Sequence, residues 1–70
     1  MAEIRSNMAG SVWKILVSEG ETVTEGQDII ILESMKMEIP ISAEQSGTIS
    51  GLKVSEGDFV NDGDLLATLE

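Results

Sequence analysis

The chain has 70 residues, 13 of them acidic and 4 basic, which gives a formal net charge of −9. This charge repels the phosphates of nucleic acids and of anionic membranes, so neither is expected as a partner, whereas a basic protein surface is. No apolar run is long enough to span a bilayer. Residues 1–7 lack the apolar core of a signal peptide, so a cytoplasmic location is expected.

Eight short strands are predicted. Runs rich in valine, isoleucine and threonine that end at glycine or acidic residues are typical of strands, and no stretch has a sustained helical period. The clearest turns have the sequences SEGE, TEGQ, SEGD and NDGD. In chain order the predicted strands are residues 2–6, 10–16, 22–24, 28–34, 37–42, 47–53, 59–61 and 65–69.

The sequence contains an internal repeat. Residues 9–33 align without gaps on residues 46–70, a shift of 37, with nine identities in 25 positions and three matched pairs of glycines. Matched glycines indicate matched turns, and a repeat this short cannot bury a face by itself. We therefore predict one domain, residues 1–70, of the all-β class: a flattened barrel or sandwich of two quasi-symmetric, four-stranded antiparallel halves.

Trp13 is one of only two aromatic residues, and its counterpart in the second repeat is Ser50. Strict alternation along the second strand puts Val12 and Lys14 on one face and Trp13 on the other. We expect Trp13 to be a core or rim residue and not a platform for a cofactor.

The segment between the repeats is predicted to be the tip of a β-hairpin with Met35 and Lys36 as its turn. This register puts the apolar side chains of both strands on one face. The predicted pairs are Ser34 with Met37, Glu33 with Glu38, Leu32 with Ile39, and Ile30 with Ile41. Two-residue turns favour asparagine, aspartate or glycine, and facing glutamates repel each other. Because such departures from local preference occur at functional sites, Lys36 at this exposed apex is the candidate functional residue.

Catalysis by the chain itself is not expected. Histidine, cysteine and tyrosine, which supply many acid–base and nucleophilic groups in enzymes, are absent. A calcium loop of the EF-hand type also fails, because aligning Gly63 with the invariant glycine puts Val60 and Leu69 at ligand positions. No metal site is predicted.

The sequence ESMKMEIP, residues 33–40, together with the repeat around it, resembles the attachment motif of the biotinyl/lipoyl attachment family. The resemblance covers essentially the whole chain and is greatest to the short biotin/lipoyl attachment proteins, which are similar to biotin carboxyl carrier domains. It implies the barrel-sandwich hybrid fold and biotin joined to Lys36 by an amide. It also implies four recognition residues: Met35 and Met37 beside the lysine, and Glu33 and Glu38 in the hairpin stem.

The resemblance implies three protein partners. A biotin protein ligase attaches the biotin, a biotin carboxylase loads it with a carboxyl group using ATP and bicarbonate, and a carboxyltransferase passes that group on. The chain is then a monomeric, non-catalytic carrier whose modified lysine is a swinging arm. Because a free lysine amine is almost fully protonated at pH 7, the ligase must supply an activated acyl adenylate.

Two alternatives remain open. Lipoate attaches through the same amide, but lipoyl domains typically have aspartate before the lysine and alanine after it, so biotin is favoured and a domain accepting both is conceivable. Alternatively, the lysine is never modified and the methionines form a protein-binding knob. Ser34 stands where many family members have alanine, which puts in question how well a given carboxylase uses the product.

Overall fold

In the computed structural model, which describes residues 2–70, every regular element is a strand. The bounds agree with the predicted strands to within one residue at each end, because runs of β-branched residues and glycine turns define both. In chain order the strands are β1 Ala2–Arg5, β2 Gly10–Ile15, β3 Thr22–Val23, β4 Asp28–Ser34, β5 Met37–Ser42, β6 Gly47–Leu52, β7 Phe59–Val60 and β8 Leu65–Leu69. Within residues 2–70 there is no helix long and apolar enough to cross a membrane.

The strands form two four-stranded antiparallel sheets with the orders β1-β8-β6-β3 and β5-β4-β2-β7. A shift of 37 residues converts each strand of the first sheet into the strand at the same place in the second. The predicted all-β class with two quasi-symmetric, four-stranded antiparallel halves is therefore confirmed. Each sheet takes two strands from each sequence repeat, so the repeats interleave and neither forms a sheet by itself.

The core lies between the two sheets and is entirely aliphatic. Burying one valine, leucine or isoleucine stabilises a fold by about 1.5–3 kcal/mol, so these side chains supply most of the stability of a chain without cysteine. The buried members are Ile4, Val12, Val17, Val23, Ile29, Ile30, Leu32, Ile41, Ala43, Ile49, Val60, Leu66, Ala67 and Leu69.

Two glutamates in equivalent turns join the repeats reciprocally. Glu19 Oε2 accepts a hydrogen bond from the amide of Leu52 at 2.9 Å, and Glu56 Oε2 accepts one from the amide of Ile15 at 3.0 Å. Each turn depends on a glycine with positive φ, 89° at Gly20, which other residues rarely adopt. The glycine turns therefore place carboxylates that satisfy backbone donors of the opposite repeat.

A β-bulge interrupts the alternation that was expected along β2. The pairing of β2 with β4 shifts between Val12 and Lys14, and the same shift occurs between Ile49 and Gly51 in the other sheet. Because a bulge inserts one extra residue, Lys14 does not share the core face with Val12, and the expected alternation is wrong here. Trp13 lies on the outer face, 41% exposed, as a rim residue.

Candidate functional site

Lys36 lies at the tip of the hairpin formed by β4 and β5. The register matches the prediction: Ser34 pairs with Met37, Glu33 with Glu38, Leu32 with Ile39, and Ile30 with Ile41. Met35 and Lys36 form the two-residue turn, with φ of 52° and 65°. Positive φ at both central residues defines the type I′ turn that suits the twist of a hairpin.

This turn is locally unfavourable for its sequence. Within residues 2–70, Met35 and Lys36 are the only residues other than glycine with positive φ. The left-handed conformation costs an ordinary L-residue about 1–2 kcal/mol. The pairing of β4 with β5, and the burial of Leu32 and Ile41 below the tip, offset that cost. A strained pair of large side chains is consistent with selection for their chemistry rather than for the turn.

The amine of Lys36 is accessible. The side chain is exposed, and within residues 2–70 it forms neither a hydrogen bond nor an ion pair with another side chain. The ion pair that this part of the chain does contain joins Arg5 to Glu3 at 2.8 Å. A reagent or an enzyme can therefore reach the nitrogen without first breaking a contact.

Both methionines that flank the lysine are on the surface. Met35 is 92% exposed and Met37 is 63% exposed, so neither contributes to the core. An exposed apolar side chain contributes no burial energy to the stability of the fold. Methionine adapts its shape to varied protein surfaces. The methionines therefore suit contact with a partner that approaches the tip.

The stem of the hairpin is acidic. Glu33 and Glu38 are exposed and lie directly opposite each other, and Ser11 of β2 pairs with Glu33 on its other side. Within residues 2–70 no basic side chain forms an ion pair with either glutamate. The hairpin thus brings together the five residues that the sequence singled out, with the two glutamates in the strands next to the turn. These residues are Glu33, Met35, Lys36, Met37 and Glu38.

An open depression of about 430 Å³ lies beside the turn. Met35 and Lys36 form part of its wall, and the residues that line the rest are Ala9, Gly10, Ser11, Glu33, Ser34 and Phe59. Sequence reasoning missed Phe59, which lies here because β7 pairs with β2 through Ser11. The repeat offered one signal: Phe59 aligns with the polar Thr22, so an aromatic residue is not required by the fold at this position.

The floor of the depression requires glycine. A Cβ added to Gly10 would lie 2.9 Å from the carbonyl oxygen of Glu33 and 3.5 Å from the Cβ of Ser34. Because the Cβ of Ser34 lies close to Gly10, there is little room for a larger side chain at either position. Within residues 2–70 no three acidic side chains are grouped so as to hold a metal ion.

Comparisons with known proteins show which family the sequence resembles. Residues 2–69 match the sequence profile of a family described as biotin-requiring enzyme. A biotin/lipoyl attachment protein of Bacillus subtilis (strain 168) is 55% identical over 62 residues, which is 89% of this chain and 85% of that protein. A biotin carboxyl carrier protein of Streptococcus mutans is 50% identical over 62 residues, 89% of this chain and 48% of that one.

A solved structure has the same fold. The urea carboxylase of Kluyveromyces lactis superposes with a TM-score of 0.91 at 34% identity, over 97% of this chain and 6% of that protein. A unit of this shape therefore also occurs as a small part of a large carboxylase.

Proposed function

The chain belongs to the biotin-requiring enzyme family, and on that premise we propose that it is a non-catalytic carrier of biotin joined covalently to Lys36. The observation that carries the proposal is the type I′ turn, which projects an unpaired, exposed amine between two exposed methionines.

The residues at the tip fit an amide-linked biotin. The Lys36 amine needs no rearrangement to react, and the depression beside it leaves space on one side of the arm. Biotin, when bound, supplies the group that takes up and releases a carboxyl group. The chain itself supplies attachment, position and a high local concentration at each partner.

Attachment requires an activated acyl donor. The Nζ of Lys36 attacks the acyl carbon of a biotinyl adenylate, a C–N bond forms, the bond from that carbon to the phosphate oxygen breaks, and AMP leaves with the electron pair. The ammonium gives up two protons overall, one to expose its lone pair and one after the attack. Within residues 2–70 no side chain forms a hydrogen bond or an ion pair with the amine, so the protons pass to groups of the ligase or to water.

We assign recognition roles to the four flanking residues. Met35 and Met37 offer adaptable apolar contact to the ligase on each side of the amine. Glu33 and Glu38 offer two carboxylates that complement basic residues of an approaching enzyme and raise its association rate.

The carrier reading also implies two partners that act after attachment: a biotin carboxylase and a carboxyltransferase. The occurrence of this fold within a urea carboxylase supports partners of the carboxylase type. The relative described as a biotin/lipoyl attachment protein keeps lipoate as a second cofactor to test, because the same amide joins both.

Intact-protein mass spectrometry tests the assignment. The chain is incubated with ATP, biotin and a purified biotin protein ligase, and in parallel with lipoate and a lipoate ligase. We expect one biotinyl group per chain, lost in Lys36→Arg and retained in the matched variants Lys14→Arg and Lys53→Arg. A chain that stays unmodified supports the alternative in which the methionines form a protein-binding knob. Modification at another lysine contradicts the assignment of Lys36.

A further inference from the structure

The two sheets share a backbone pattern but differ in their outer surfaces. The large apolar side chains that are exposed within residues 2–70 all belong to the sheet β5-β4-β2-β7 or to segments that continue its strands. They are Trp13, Leu16, Met35, Met37 and Phe59. The outer face of the sheet β1-β8-β6-β3 carries none of them.

An apolar row crosses the outer face of the first of these sheets. Ile31 of β4 pairs with Pro40 of β5 on one side and with Lys14 of β2 on the other, and residues directly opposite each other share a face. The bulge turns Trp13 outward beside Lys14, whose Nζ lies 5.2 Å from the centroid of the Trp13 ring. Trp13, Ile31 and Pro40 therefore lie in a row on the outer face of three neighbouring strands, with Lys14 beside Trp13.

The other sheet shows what the fold requires at the same places. The residues equivalent to Trp13, Ile31 and Pro40 are Ser50, Thr68 and Glu3. They occupy the same register, with Glu3 opposite Thr68 and the bulge at Ser50, and the two hydroxyls lie 2.7 Å apart. The counterparts of Leu16 and Phe59 are also polar, namely Lys53 and Thr22.

The apolar row is thus not needed for folding, because the same backbone is built with polar residues on the opposite sheet. An exposed apolar surface that folding does not require indicates a protein contact, and tryptophan is the residue most enriched at the centres of such contacts. Glu33 and Glu38 border the row on the side of the turn, so the matching surface is apolar with basic groups at that end.

We propose that this face, defined by Trp13, Ile31 and Pro40, docks onto a biotin carboxylase, an inference that rests on the carrier function proposed above. Ile31 lies four residues before Met35, which is about 13 Å along the strand. A partner that holds the row leaves the tip free, which suits an enzyme whose active site receives the long biotinyl arm. A ligase must instead reach the bare amine at the turn. A second copy of the chain is disfavoured by its own net charge of −9.

The test replaces apolar residues of the row by the residue types at the equivalent positions of the other sheet. The double variant Trp13→Ser with Ile31→Thr reproduces the pair found at Ser50 and Thr68, so we expect it to fold with the far-ultraviolet circular dichroism spectrum of a β-sheet protein. The matched control, Ser50→Ala with Thr68→Val, alters the opposite sheet. Both are biotinylated, checked by intact mass, and used as the varied substrate of the host's purified biotin carboxylase with ATP and bicarbonate.

We expect the double variant to raise KM about tenfold while kcat stays within about twofold, the loss typical of removing an interface anchor. The control should have the same KM as the chain without substitutions, and the biotinylation rate should be equal for all three proteins. An unchanged KM overturns the proposal. So does a slower ligase reaction with normal carboxylase kinetics, or a concentration-dependent dimer that the double variant abolishes. If the chain without substitutions does not become biotinylated, the carrier function itself is refuted. The intact-protein mass shows this result before any carboxylase assay.

Discussion

Gly10 lies so close beneath the end of β4 that a Cβ on it would be 2.9 Å from the carbonyl oxygen of Glu33. That oxygen is backbone, so it cannot move without moving the hairpin that ends in Lys36. The pseudo-symmetric contact has the same distance, since a Cβ on Gly47 would lie 2.9 Å from the carbonyl oxygen of Glu70. One of these contacts therefore supports the strand end that leads to Lys36, and the other supports the equivalent end of β8 in the opposite sheet.

This pair allows stability to be separated from presentation of the lysine. Gly10→Ala and Gly47→Ala should each lower the free energy of unfolding by about 1–3 kcal/mol, because both overpack a backbone contact. Only Gly10→Ala should also slow biotinylation under conditions where both variants are folded. Urea denaturation measures the first effect and the time course of intact mass measures the second. Equal rates of biotinylation for the two variants would show that the ligase tolerates a shifted hairpin.

The turn residues should show a conflict between stability and modification. Asparagine tolerates the left-handed conformation that Met35 adopts with φ of 52°. Met35→Asn is therefore expected to stabilise the domain by about 1 kcal/mol, which is about 4–8 °C in melting temperature for a domain of this size. The same substitution removes an exposed apolar contact, so kcat/KM for the ligase should fall.

A matched control lies on the other side of the lysine. Met37 is in β5, outside the positive-φ pair, so Met37→Asn should lower the ligase kcat/KM without the gain in stability. If Met35→Asn is both more stable and equally well modified, the methionine is not a recognition residue.

Local signals explain how much of the molecule could be predicted. The hairpin register followed from the alternation of Ile30, Leu32, Ile39 and Ile41, because a one-residue slip would have exposed all four. The four-strand halves followed from the repeated glycines. Interleaving of the repeats, the bulge at Trp13 and the position of Phe59 beside the turn depend on pairings between distant segments. Alternation within one strand carries no information about such pairings, so these features required the structure.

The facing glutamates of the stem give a prediction that depends on salt. Glu33 and Glu38 are paired in register on exposed positions, which is unfavourable for two like charges. Glu38→Lys makes an opposite-charge pair and should raise the free energy of unfolding by about 0.2–1 kcal/mol. The gain should shrink as salt is added, because exposed charges are screened. If the stem acids attract the ligase, the same variant should raise KM for biotinylation severalfold at low salt.

Glu44→Lys is the control, because it makes the same change in net charge at a site distant from the turn. Glu44 is exposed and follows the end of β5 that is remote from Lys36. It should leave both the stem pairing and the KM near their original values. An equal rise in KM for both variants would mean that the ligase responds to the overall charge of the carrier, and the recognition role assigned to Glu33 and Glu38 would then be wrong.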